Sequence, residues 1–412
     1  MSVGIEAIGA YCGVARISSR LLFDARGLDS SRFDNLMADH RSVQMPWEDP
    51  VTNAVNAARP LLDSIGDAAK SRIELLVTST ESGLDYSKSV ASYVHSALGL
   101  SRQCRILEVK QACYGATGAL QLAAGHLAAT GDPAARALVI ATDVNPMDER
   151  ARYAEPTTGH GAVALLVGSE PAGLVLERGA YGLCGFEVMD TARPLPDFDL
   201  YNTDLSLLTY LECLLESYAA YTEKLPGTDF GDSFDYVVMH TPFVGMVRAA
   251  HRKMMRESGV RSAATIESDF ARRVAPSLGY ARAVGNLCSG SVFLSLASLI
   301  DSQPPAVLAG ARVGLFSYGS GCSSEFYSGV LAGDGGPRSG TSDLAEQLNR
   351  RRELSFPEYE SLIELTRDCI SARRQYRPDL SACGEVLGAY RADGPILVLK
   401  EIDEYHRKYE WW

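Results

Sequence analysis

A nucleophilic side chain works best where the backbone favours its anion, and Cys113 stands at such a place. It lies in the run Lys110-Gln111-Ala112-Cys113-Tyr114-Gly115-Ala116-Thr117-Gly118. The apolar run Ile106-Leu107-Glu108-Val109 before it predicts a strand, and the small residues over 115–129 predict a helix. A thiol between a strand and a helix start faces unpaired backbone N–H groups and the positive end of the helix dipole. Both favour thiolate over thiol. The same N–H groups can hold an oxyanion. The competing reading is a core cysteine packed as a small hydrophobe.

Other polar residues stand at the ends of predicted strands and in the loops that follow, where open α/β folds gather catalytic groups. They are Glu81, Asp143, His240, Asn286 and Ser320. Glu81 follows Leu75-Leu76-Val77, and a carboxylate beside an apolar pocket can serve as a general base on carbon. His240 and Asn286 can stabilise a thiolate and donate to a developing oxyanion. Each has a plainer reading taken singly. Glu81 suits a helix start, His240 a satisfied core position, and Asn286 a turn that caps the next helix. Ser317-Tyr318-Gly319-Ser320-Gly321 also reads as a tight backbone passage. Their recurrence at matching places of two halves favours chemistry.

Those two halves come from the pattern of elements. Strand-like and helical stretches alternate to about residue 330, the signature of an α/β fold. In the first half, Ile73–Val77 leads to Glu81, the Cys113 turn opens a helix, and Ala137–Ala141 leads to Asp143. In the second, Phe234–Met239 leads to His240, Val284–Gly290 opens a helix, and Val313–Gly321, which carries Ser320, closes the series. The same order twice predicts a duplicated unit, with halves over 1–170 and 171–332. Residues 333–412 form a third region: a Gly-rich connection over 333–340, helical stretches, a strand near Pro395–Lys400 and an aromatic tail. This region is expected to pack on the second half, its tail covering a sheet edge.

Bulk properties narrow the classes. Of 412 residues, 46% are hydrophobic and 22% charged, ordinary for a globular chain. A net charge of −12 argues against nucleic acid as a general partner. No run reaches the roughly 18 apolar residues of a membrane span, and Met1–Glu6 lacks a signal-peptide pattern. The nine cysteines are scattered without Cys-x-x-Cys spacing, and the seven histidines form no helix-face pair, so no metal is expected. Free thiols in a reducing cytoplasm fit best.

Several motifs now stand in order. They are Thr80-Glu81-Ser82 with Ser87-Lys88-Ser89, Ala112-Cys113-Tyr114-Gly115, His240-Thr241-Pro242-Phe243, Gly285-Asn286 and Phe316-Ser317-Tyr318-Gly319-Ser320-Gly321. In these the chain resembles the thiolase superfamily, and within it the 3-hydroxy-3-methylglutaryl synthases. The resemblance implies a thiolase-like, duplicated five-layered αβαβα fold. It implies that an acetyl thioester acylates Cys113 and that Glu81 removes a methyl proton to make a carbon nucleophile. His240 then presents the ketone of a β-ketoacyl thioester, and water releases the product. It further implies that Asn286, Ser320, Tyr114 and Gly319 bind substrate, and that Asp143 and Asp190 support acetylation from behind. No cofactor is implied beyond the phosphopantetheine thioester of the substrate, and a homodimer is.

The substrate's carrier is a separate question. Synthases of this family that use CoA hold it with lysines five and nine residues after the histidine, where this chain has Gly245 and Ala249. Arg248, Arg252 and Lys253 follow on the same predicted helix and form a basic rim suited to an acidic carrier protein, or else an ordinary solvated face. The stretches over 46–53, 108–113 and 320–327 resemble the branch that serves polyketide assembly lines. That branch adds acetyl from a donor acyl carrier protein to a β-ketoacyl chain on an acceptor carrier protein. The alternatives are a synthase acting on acetyl-CoA and acetoacetyl-CoA, and an initiating ketoacyl synthase. Glu81 disfavours the latter, because decarboxylation needs no carbon base. A non-catalytic homologue would be expected to lack Cys113 or Glu81.

Overall fold

The helix after Cys113 carries Ala116, Ala119, Leu120, Ala123 and Leu127, all without solvent exposure, and that composition determines where it can lie. Small residues let a helix run between two sheets at close range. The computed structural model, which describes residues 2–332, 344–381, 383–390 and 394–412, places it there.

The first half contributes strands β1 (Gly4–Tyr11), β2 (Ile73–Ser79), β3 (Arg105–Val109), β4 (Arg136–Asp143) and β5 (Gly161–Gly168). Their spatial order is β1-β5-β4-β2-β3, with β5 antiparallel to both neighbours and the other pairs parallel. The second half contributes β6 (Leu174–Gly185), β7 (Tyr236–Met239), β8 (Arg312–Gly319) and β9 (Ser323–Leu331). Their order is β6-β9-β8-β7, with β9 antiparallel to its neighbours and β7 parallel to β8. The same pairings run twice, as the duplicated pattern predicts. Among the described residues β3 has no strand counterpart in the second half, where Gly279–Val284 is helical. β1 and β6 join the halves through Gly4↔Val175 and Ile5↔Leu174.

Side-chain alternation sorts the layers. Leu76 of β2 packs outward with Val51, Ala54 and Ala58 of helix α1 (Pro50–Lys70), while Leu75 and Val77 turn to the middle. There they meet α2 (Gly115–Thr130) and α5 (Ser291–Ser302). In the second half Val238 faces the middle, and Val237 and Met239 face α3 (Thr203–Lys224) and α4 (Val244–Glu257). Helix, sheet, helix, sheet and helix therefore stack as five layers. β5 is buried at every residue because both its faces are covered. α1 begins at a capping box between Asp49 and Thr52 with Pro50 in its first turn.

The C-terminal region corrects one expectation. It packs on the first half. Tyr359, Ile363, Val386, Leu397 and Val398 share a core with Val51 and Ala58, and Arg407 Nη1 lies 3.0 Å from Asp49 Oδ2. The outer face of the second-half sheet is already closed by α3 and α4, whereas in the first half Trp47 O accepts from Leu399 N, and the Asn56 side chain accepts from Leu397 N and donates to Leu397 O. The tail also differs: His406–Trp411 pairs with Leu397–Asp403 as a hairpin in a separate small sheet. The connection expected over 333–340 lies outside the described residues. Among the described residues no helix is long and apolar enough to cross a membrane.

Candidate active site

The strand ends named above converge on one cavity of about 390 Å³, lined among others by Glu81, Cys113, His240, Asn286, Cys288 and Ser320. Cys113 stands on the turn between β3 and α2, where Ala112 adopts a left-handed φ of 44°. Its Sγ–H donates to Glu81 Oε1 at 3.1 Å. Five separated motifs thus become one site.

Glu81 is held by its backbone. Asp143 Oδ1 accepts from Glu81 N at 2.7 Å, Ser82 N at 3.1 Å, Ser82 Oγ at 3.0 Å and Thr80 Oγ1 at 3.1 Å. One carboxylate oxygen therefore sets the whole turn that carries Glu81. Burial, then the nearby Glu81 carboxylate, pushes the Asp143 carboxyl well above its ordinary range.

His240 continues β7, its N–H donating to Phe316 O at 2.7 Å and its carbonyl accepting from Tyr210 Oη at 2.8 Å. Burial pushes its imidazole down to about 3, so it stands in the cavity as a neutral ring. Its Nδ1 has no hydrogen-bond partner among the described residues. Asn286 Oδ1 accepts from Cys288 N at 3.0 Å and Ser291 Oγ at 2.7 Å. That leaves the amide N–H groups as what Asn286 offers the cavity.

The thiolate expected at a helix start is not the resting state. A hydrogen bond from Cys288 pulls the Cys113 thiol down, but burial and the Glu81 and Asp143 carboxylates outweigh it and push it up to about 12. Burial and the carboxyl groups beside the thiol overcome the partial charge of a helix terminus.

Other expected residues fall elsewhere. Tyr114 turns from the cavity and donates to Glu325 Oε2 at 2.8 Å, which anchors the Cys113 turn from behind. Gly319 is set against the nucleophile's turn: a Cβ there would lie 2.5 Å from Gln111 O and 2.6 Å from Tyr114 N. It is the glycine that lets β8 cross over the nucleophile's turn. Asp190 is buried beneath the cavity, accepting from Tyr318 Oη and from Gly321 N at 3.0 Å. Arg248 pairs with Glu267 and Lys253 with Glu257, while Arg252 is exposed; none of the three lines the cavity. The exposed cation that does is Arg32.

Three contributors escaped the sequence reading. Arg193, its side chain 9% exposed, pairs with Asp199 at 2.8 Å, and donates to Ser82 Oγ at 3.0 Å and Asn145 Oδ1 at 2.8 Å. Burial opposes its charge, yet Asp199 and Glu81 hold the guanidinium firmly protonated. Asn145 and Cys288 line the cavity as well. Only the nearness of Arg193 to Asp190, and of Cys288 to Asn286, marked them in the sequence. Glu81, Cys113 and Cys288 bring a carboxylate oxygen and two sulfurs within 4.8 Å of one another.

A thiol, a carboxylate beside it and a neutral imidazole around one cavity can perform acyl transfer and proton abstraction from carbon. Known proteins agree. The family model for hydroxymethylglutaryl-coenzyme A synthase, N terminal, matches residues 3–172, and the C-terminal model matches residues 256–411. The polyketide biosynthesis 3-hydroxy-3-methylglutaryl-ACP synthase PksG of Bacillus subtilis is 43% identical, over 100% of this chain and 99% of that one. The hydroxymethylglutaryl-CoA synthase of Enterococcus faecalis is 34% identical, over 95% of this chain and 100% of that one. The curacin biosynthetic pathway HMG synthase, solved in complex with apo donor-ACP, superposes with a TM-score of 0.94 at 46% identity, over 100% of both chains. The chain belongs to the hydroxymethylglutaryl-coenzyme A synthase family.

Proposed function

We propose that this protein is an acyltransferase that adds acetyl from a donor acyl carrier protein to the β-ketone of a β-ketoacyl chain on an acceptor carrier protein. The product is a β-branched, 3-hydroxy-3-methylglutaryl-type thioester. The observation that carries the reading is the Cys113–Glu81 contact of 3.1 Å inside the cavity that His240 and Asn286 also line. Acetyl held on Cys113 puts its methyl group beside Glu81, which takes the proton. The resulting carbon attacks the ketone, and the alkoxide forms near the donors of Asn286 and His240. Water then frees Cys113. Asp143 and Asp190 act as positioning residues behind Glu81 and Tyr318.

A carrier protein is favoured over CoA by the residues at the lysine places. A Cβ at Gly245 would lie 1.7 Å from Asn35 O, so α4 approaches that segment too closely for any side chain. The relatives above that act with ACP also share more of the sequence than the CoA synthase does. The same reading puts the protein in the cytoplasm, where its cysteines stay reduced, and takes it as a homodimer.

The test incubates the protein with acetyl- and acetoacetyl-carrier proteins, then with the two CoA thioesters, and follows intact mass. Turnover on CoA equal to that on carrier proteins overturns the assignment. Glu81→Ala is expected to acquire acetyl on Cys113 and to make no condensation product; condensation by that variant removes Glu81 from its role.

A further inference from the structure

One reactive side chain of the cavity has no task in this scheme. Cys288 lies two residues after Asn286 and is 4% exposed, yet it lines the same cavity as Cys113. Its Sγ, the Cys113 Sγ and a Glu81 carboxylate oxygen are within 4.8 Å of one another. Its backbone is unusual: φ is 49°, a left-handed conformation that costs a non-glycine residue energy. Asn286 Oδ1 accepts from Cys288 N at 3.0 Å and holds that conformation. The turn before the middle helix therefore carries a left-handed residue and an inward thiol in each half, with Ala112 and Cys113 in the first.

The Cys288 S–H donates to Asn145 Oδ1 at 3.4 Å, an oxygen that Arg193 also engages, and the Cys113 sulfur lies within 4.8 Å as a second group it can turn to. While Cys113 is a thiol, its own proton points at Glu81. Once Cys113 becomes a thiolate, it is the stronger acceptor, because hydrogen bonds to ions are the stronger ones. An interaction that strengthens as charge develops accelerates the step in which it develops.

We propose that Cys288 is a catalytic residue whose S–H donates to the Cys113 sulfur as the thiolate forms and holds it for attack on the acetyl thioester. This rests on the acetyl-transfer reading above. In the step, Cys113 Sγ bonds to the acetyl carbon while the bond from that carbon to the phosphopantetheine sulfur breaks. The leaving thiolate takes up the proton that Cys113 gave to Glu81. Cys288 keeps its own proton, and burial beside a second thiol raises its pKa far above the ordinary thiol range.

The test measures alkylation of Cys113 by iodoacetamide across pH, read by peptide mass, and acetyl uptake from acetyl-carrier protein, read by intact mass. Cys288→Gly removes the thiol and suits the left-handed backbone; Cys288→Ala removes it with a different backbone cost. Both are expected to slow Cys113 alkylation about tenfold at each pH on the rising limb, a shift of about one pH unit, and acetyl uptake by a similar factor. Cys288→Ser, which keeps a donor, is expected to stay within about threefold of the wild type. Folded Gly and Ala variants that alkylate at the wild-type rate overturn the proposal. A wild-type protein that alkylates at Cys113 but takes up no acetyl overturns the acetyl-transfer reading instead, and the alkylation profiles still decide what Cys288 does.

Discussion

Gly319→Ala is the sharpest test of how the second half positions the nucleophile of the first. The added Cβ would lie 2.5 Å from Gln111 O, 2.6 Å from Tyr114 N and 2.8 Å from Tyr114 Cβ. To regain ordinary contact, either β8 or the Cys113 turn must retreat by roughly 0.5–1 Å. Neither moves freely. β8 lies between β7 and β9 in the sheet, and the turn is tied behind by the Tyr114 and Gln121 hydrogen bonds to Glu325, both 2.8 Å. Overpacking of this kind costs about 1–3 kcal/mol of stability. A displacement approaching 1 Å of a reacting atom costs about 100-fold in rate, so acetyl uptake is expected to fall about 10- to 100-fold. The assay is the initial rate of Cys113 acetylation from acetyl-carrier protein by intact mass, at a temperature where circular dichroism shows both proteins folded. A folded variant that acetylates at the wild-type rate would refute the reasoning, because the turn would then have absorbed the methyl without moving Cys113.

Two further outcomes are expected. Arg193→Met leaves Asp199, whose side chain is 10% exposed, without its partner, and should cost about 3–5 kcal/mol; adding Asp199→Leu should recover most of it in urea unfolding. An unchanged midpoint for the single variant would show that the pair does not contribute to stability. The second concerns pH. Burial pushes both His160 and His240 down to about 3 from 6.5, so below pH 6.5 the unfolded chain binds protons that the folded chain refuses. Stability from these groups is thus complete above pH 6.5 and falls as pH drops toward 3, by about 1 kcal/mol per histidine between pH 6.5 and 5.5. Glu48 and Asp143, raised by burial, act in the opposite direction, so the readout is the difference between wild type and His240→Gln. Equal pH slopes for the two proteins would remove His240 from the account.

The chemistry was legible in the sequence because it sits at strand ends. Glu81, Cys113, His240 and Ser320 each follow a strand, Asn286 opens the matching turn after a short helix, and the twofold repeat of that arrangement predicts that they meet. The order of strands confirms the repeat. What the residues touch behind the cavity was not legible. Tyr114 and Gly319 look like pocket residues in a motif, yet one hydroxyl belongs to Glu325 and the other position is empty so that a turn can pass. Arg193 and Cys288 gain their importance from neighbours far away in sequence, Ser82 and Cys113. The same holds for residues 344–412, whose apolar composition indicates burial but names no surface.

The sequence by itself therefore determined the reacting groups and the duplicated α/β plan, since strand periodicity and chain order are local properties. Only the tertiary structure decided the protonation of those groups and the residues that aim them. A pKa depends on burial and on charges brought near from elsewhere: Cys113 has a helix terminus in its sequence, but burial and the Glu81 and Asp143 carboxyl groups beside it in space push its thiol up.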